Sequence, residues 1–159
     1  VHKYHHIFDF LNCALTYTTS PTYACETFEA ADYKTVTGTT RTLVYGPLPV
    51  ALTGYGNSLS VQVYGKTSAG TSTFRVISSP GPVAGASTTA PVYPDGGTTY
   101  VEVTTTTTAN MMYITAGTIT TPAFTVGTPP ITWVTVEAYV DAGGRIATFG
   151  GIYIKELQT

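Results

Sequence analysis

The stretch ITWVTVEAYV (131–140), DAGG (141–144) and RIATFGGIYIKEL (145–157) decides the fold class. In its first part apolar residues recur at every second position, the period of a strand with one buried face. Val134, Val136, Ala138 and Val140 share one face, and Trp133, Thr135, Glu137 and Tyr139 share the other. Two such runs joined by a Gly-containing turn predict a β-hairpin. Ile146, Ile152 and Ile154 have one parity and are expected in the core. Gly150 and Gly151 interrupt the second run and predict a bulge or kink.

The same period extends through the chain. SLSVQVY (58–64) sets Leu59, Val61 and Val63 against Ser60 and Gln62. TSTFRVI (71–77) sets Phe74 and Val76 against Arg75, and TTYVEVTT (98–105) sets Val101 and Val103 against Tyr100 and Glu102. Weaker strands are expected at 13–19, 33–37, 41–45, 48–53, 90–93, 110–115 and 122–126. The five threonines of 104–108 are expected to finish a strand. CETFEAADYK (25–34) is the one segment with room for a helical turn or two, and 78–97 reads as a long loop with at most one short edge strand. Turn signals at this spacing predict an all-β chain, a Greek-key β-sandwich or jelly roll of about eight to ten strands.

A chain of 159 residues fits one domain. Charged residues are only 10% of it, against about 25% in an ordinary soluble domain. Threonine, about a fifth of the chain, and 12 tyrosines take their place. Hydroxyls keep a surface wet without the charge repulsion that holds monomers apart, so this composition suits a secreted domain or a surface covered by neighbours. The net charge of −2, with no basic run, argues against nucleic acid as a partner. No apolar run is long enough to span a membrane as a helix. The chain opens at Val1 without an initiator Met, a start that a processed product would have and an incomplete sequence would share.

Candidate chemistry is sparse, and no cofactor is implied. His2, His5 and His6 lie together, but on a strand His5 points away from the other two, which fits an exposed segment better than a metal site. No G-x-S-x-G nucleophile pattern occurs. Hydrolysis by paired carboxylates is harder to dismiss, because Glu102 and Glu137 both lie mid-strand; outward-facing Glu on a solvated sheet explains them equally well and is the commoner case. Asp95-Gly-Gly and Asp141-Ala-Gly-Gly are turn signatures before they are calcium ligands. Trp133 with Tyr139, and Tyr100 or Tyr153, are candidates for an aromatic platform that would take surface glycans, with packing under a loop or against a neighbour as the rival reading. The expectation is a chain that is not an enzyme.

Cys13 and Cys25 enclose eleven residues including Pro21, a spacing that predicts a disulfide and an oxidising, extracellular compartment. Residues 1–11 precede this loop as a unit apart from the body at 12–159. In YHHIFDFL (4–11) the apolar residues Tyr4, Phe8 and Phe10 share a parity, and such a terminal strand can pair within its own domain or complete the sheet of a neighbour.

With YHHIFDFLNC ahead of a Thr/Tyr/Val-rich, charge-poor strand pattern over 12–159, the chain resembles the secreted β-sandwich subunits of prokaryotic extracellular filaments, such as archaeal bundling pili and threads. The resemblance implies a cell-surface homopolymer without catalysis, in which the N-terminal strand inserts into the next copy by donor-strand complementation. Tyr4, Ile7, Phe8, Phe10 and Leu11 would then be the subunit interface. The chain departs from glycosylated members in having no Asn-X-Ser/Thr sequon. Two other readings stay open: a viral capsid or decoration protein with a jelly roll, and a secreted carbohydrate-binding module.

Overall fold

The structure is a computed structural model that describes residues 22–52, 58–83, 91–94, 98–120 and 131–157, the first six by their backbone. The chain runs β1 (Thr22–Thr27), a one-turn 3-10 helix (Ala30–Asp32), β2 (Lys34–Val36), β3 (Thr42–Ala51), β4 (Ser58–Thr67), β5 (Ser72–Ser79), β6 (Thr99–Thr105), β7 (Met112–Thr120), β8 (Ile131–Val140) and β9 (Ala147–Leu157).

The pairing is nested. β5 pairs with β6, β4 with β7, β3 with β8, and β1 and β2 with β9, all antiparallel. Alternate pairs fall in opposite sheets. One sheet has the order β1-β9-β4-β7, with β2 following β1 along β9, and the other has β3-β8-β5-β6. A long antiparallel ribbon folded over on itself in this way is a jelly roll. The all-β sandwich expected from the sequence is therefore the fold.

The core fills the space between the sheets. Leu59, Val61 and Val63 of β4 and Ile152 and Ile154 of β9 meet Phe74, Val76, Val134, Val136 and Ala138 of the facing sheet, all fully buried. These are the inward parities read from 58–64, 71–77 and 131–140. Phe149 packs its ring against Phe28, Tyr45 and Phe74, with centroids 6.0, 5.9 and 6.3 Å away. Such aromatic contacts add to area burial in fixing how the sheets sit together.

Several expectations are corrected. β8 and β9 are not a hairpin, because they lie in different sheets and the 141–146 turn carries the chain across the sandwich. Two consecutive strands with inward apolar faces meet that pattern equally well when they face each other across a core. Ile146 is exposed rather than buried. The register of β9 against β4 shifts opposite Tyr64 and Gly65, so the bulge expected at the glycines is present and changes the parity. Ala147 and Phe149 point inward before it, Ile152 and Ile154 after it.

The candidate helix at 25–34 is the end of β1 followed by the single 3-10 turn. The segments 41–45 and 48–53 form one strand, β3, which passes Gly46 at φ 87° with two register shifts. β6 ends at Thr105, inside the threonine run, and 90–93 contributes one isolated bridge at Val92. The expected strands at 13–19 and 122–126 lie outside the described residues.

Candidate functional site

Two outer faces carry the polar and aromatic side chains. On the four-stranded sheet, pairing aligns Leu43, Glu137, Arg75 and Glu102 in one row across β3, β8, β5 and β6. Arg75 holds Glu102 through Nη2 and Nε, at 2.6 and 2.7 Å from Oε1. The Tyr139 hydroxyl donates to the same oxygen at 3.3 Å, and the guanidinium lies 4.0 Å from the Tyr100 ring centre. This is a charge-assisted cluster with a cation–π contact on a partly exposed surface.

Glu137 is different. Its side chain is 0% exposed, which corrects the expectation of a solvated glutamate. The Tyr93 hydroxyl donates to Oε1 at 3.1 Å, and Arg41 Nη1 lies 3.7 Å from the same atom. Among the described residues Oε2 and the neighbouring Thr135 Oγ1, both buried, have no hydrogen-bond partner. Burial raises the Glu137 carboxyl above its ordinary pKa, opposed by Arg41, Tyr93 and Arg75. The same burial, with the carboxylate beside it, pushes the Tyr93 phenol up.

Row pairing thus brings Glu102 and Glu137 to one face, two strand spacings or roughly 10 Å apart, with Arg75 on the strand between them. A substrate would have to displace Tyr93 to reach Glu137. The arrangement anchors the 91–94 segment to the sheet.

The aromatic platform expected from the sequence is not assembled. Trp133 and Tyr139 are six residues apart on β8, about 20 Å along the strand. Tyr100 stacks on Arg75. Tyr153 belongs to β9, in the other sheet.

A different aromatic group forms on the outer face of the five-stranded sheet. Tyr64 of β4 pairs across the strands with Tyr113 of β7, their ring centres 4.8 Å apart and 32° from parallel. Tyr33, just before β2, meets Tyr64 edge-on at 6.3 Å. Partial burial and a hydrogen bond to Tyr64 hold the Tyr33 phenol above its ordinary range.

Gly150 is the seat of this group. A Cβ there would lie 2.5 Å from Met111 Cε, 2.8 Å from Tyr33 Cε1 and 3.0 Å from Tyr64 Cδ1. One row along the same face lie Tyr153, Gln62 and Thr115, and beyond them Lys155, Ser60 and Thr118. Gln62 Nε2 donates to Thr115 Oγ1 at 3.4 Å. Tyr64 shares the outward parity of Ser60 and Gln62. Its meeting with Tyr33 and Tyr113 depends on strand register, which no local signal carries.

Asp141 is a turn residue. It pairs with Arg145 and accepts the Thr71 backbone N–H at 3.2 Å, and the hydrogen bond from Arg145 holds its pKa low. Cys25 lies on β1, its backbone opposite Tyr153. Cys13, Asp95, the three histidines and the expected interface residues Tyr4, Ile7, Phe8, Phe10 and Leu11 lie outside the described residues. Among the described residues no group of three or more His, Cys, Asp or Glu side chains is placed to hold a metal, and no helix is long and apolar enough to cross a membrane. Comparison with protein-family models, with curated proteins and with solved structures found no match.

Proposed function

We propose that this chain is a structural subunit of an extracellular filament, polymerising through residues 1–11 of one copy. The observation that carries this reading is that β1 to β9 fill all eight positions of a jelly roll between Thr22 and Leu157. The described strands form both sheets without residues 1–11, whose sequence alternates as a strand's does. Because the sandwich is complete, a donated strand adds to an edge of the neighbour rather than replacing a missing strand.

The four edges differ in their fitness to receive it. β3 carries Pro47 and Pro49 and two register shifts. β7 is interrupted at Ala116–Gly117, with Gly117 at φ 108°. β1 has a register shift between Thr22 and Ala24. Prolines and bulges are the devices that blunt edge strands. β6 has neither: its seven residues pair with β5 in unbroken register, and on its other side it meets β7 without a strand ladder among the described residues, Thr99 Oγ1 donating to the Thr120 carbonyl at 2.7 Å.

An antiparallel strand laid on β6 would gain about six backbone hydrogen bonds, each worth about 0.5–1.5 kcal/mol net. Burying Phe8 and Phe10 would add about 1.5–3 kcal/mol each. Phe8→Asp with Phe10→Asp is expected to abolish filaments in micrographs while leaving a folded monomer. Normal filaments from that variant would refute the proposal. The alternative of a viral shell protein draws on the same jelly roll, and closed shells in those micrographs would favour it.

A further inference from the structure

We infer that the outer face of the five-stranded sheet is a binding strip for a neutral polysaccharide, with Tyr33, Tyr64 and Tyr113 as its stacking surface. The inference is independent of the filament reading. Three features of the face point to this ligand.

First, rings from three separate segments are brought together, Tyr64 and Tyr113 on strands and Tyr33 on the turn before β2, and Gly150 lets two of them rest directly on the β9 backbone. Tyr113 remains 42% exposed at the end of the row. A sugar ring offers a flat C–H face to such a surface, while its hydroxyls need partners beside it.

Second, those partners are present and neutral. The rows next to the tyrosines supply Gln62, Thr115, Ser60 and Thr118, all on the same face. Each offers donors or acceptors without the desolvation cost of an ion.

Third, the charge pattern excludes the other common linear ligands. Among the described residues the paired rows of this face carry two cations, Lys155 and, opposite Thr148, Lys66, and no carboxylate. That is too little positive charge for a polyanion.

The test is affinity electrophoresis of the folded protein through gels containing hydroxyethylcellulose, xylan or mannan, with polygalacturonate as the charged probe. At least one neutral polysaccharide should retard the protein. Tyr64→Ala and Tyr113→Ala should each weaken that binding about ten-fold or more, a loss of about 1.4 kcal/mol. Tyr113→Phe, which keeps the ring, should retain most of it, and Trp133→Ala on the other sheet should change nothing. Thermal melts of each variant separate lost binding from lost fold. Retardation by none of the three neutral gels, retardation by polygalacturonate alone, or binding in both Tyr→Ala variants equal to that of the parent would overturn the inference. So would a Tyr113→Ala variant whose only change is weaker self-association, because a second copy would then be the occupant.

Discussion

Tyr93 reaches from the 91–94 segment across the four-stranded sheet and donates its hydroxyl to the buried carboxylate of Glu137, 3.1 Å away. This contact fastens a connection onto the sheet face, and the other oxygen of the glutamate has no hydrogen-bond partner among the described residues. A buried acid held in this way has a defined effect on stability.

Burial raises the folded-state pKa of Glu137 above the unfolded value. The folded state therefore binds this proton more readily, and stability falls as pH rises through the folded pKa. The contribution is fully present below the unfolded value of about 4.3. Glu137→Gln should melt higher than the parent at pH 7 and flatten the change in melting temperature between pH 4 and pH 7. Equal slopes in parent and variant would show that Glu137 is not the titrating group. Tyr93→Phe should cost about 1–3 kcal/mol at pH 7, because it removes a donor from a buried oxygen.

Gly150→Ala should destabilise the protein by about 1–3 kcal/mol, the range for inserting a methyl group into a filled site. The new Cβ meets Met111, Tyr33 and Tyr64. Gly143→Ala is the control, since nothing lies within 4 Å of a Cβ there. Denaturant melts that show equal stability for the two variants would remove the tyrosine row as a packed unit.

The cysteine spacing predicts that folded protein contains no thiol reactive to alkylation before reduction, and that reduction exposes two. Mass spectrometry checks this directly. Two alkylated cysteines in unreduced, folded protein would rule out the Cys13–Cys25 bond and weaken the extracellular assignment.

The legible part of the fold was its parity. The alternation in 58–64, 71–77 and 131–140 names the core residues because a strand has two faces and one of them is dry. Which strands are neighbours was not legible. The β8–β9 turn looks like a hairpin because an inward apolar pattern is the same whether two strands share a sheet or face each other across the core. Ile146 was misplaced because one extra residue at Gly150 reverses the parity. Their mid-strand positions single out Glu102 and Glu137 in the sequence without making them a site, and the contact of Glu137 with Tyr93, 44 residues away, carries no local signal. Tyr33, Tyr64 and Tyr113 were missed because each is unremarkable locally and only the register joins them.

The central claim, that one copy joins the next by laying residues 1–11 on β6, is most directly tested by photo-crosslinking. The acceptor is the chain truncated to begin at residue 12, which should remain folded because the jelly roll closes between Thr22 and Leu157. The probe is the peptide 1–11 carrying a photoreactive phenylalanine analogue at position 8. Mass spectrometry should map the crosslink to Thr99–Thr105, and the truncated protein alone should form no filaments. Filaments from the truncated protein, or crosslinks that map away from β6, would contradict the account.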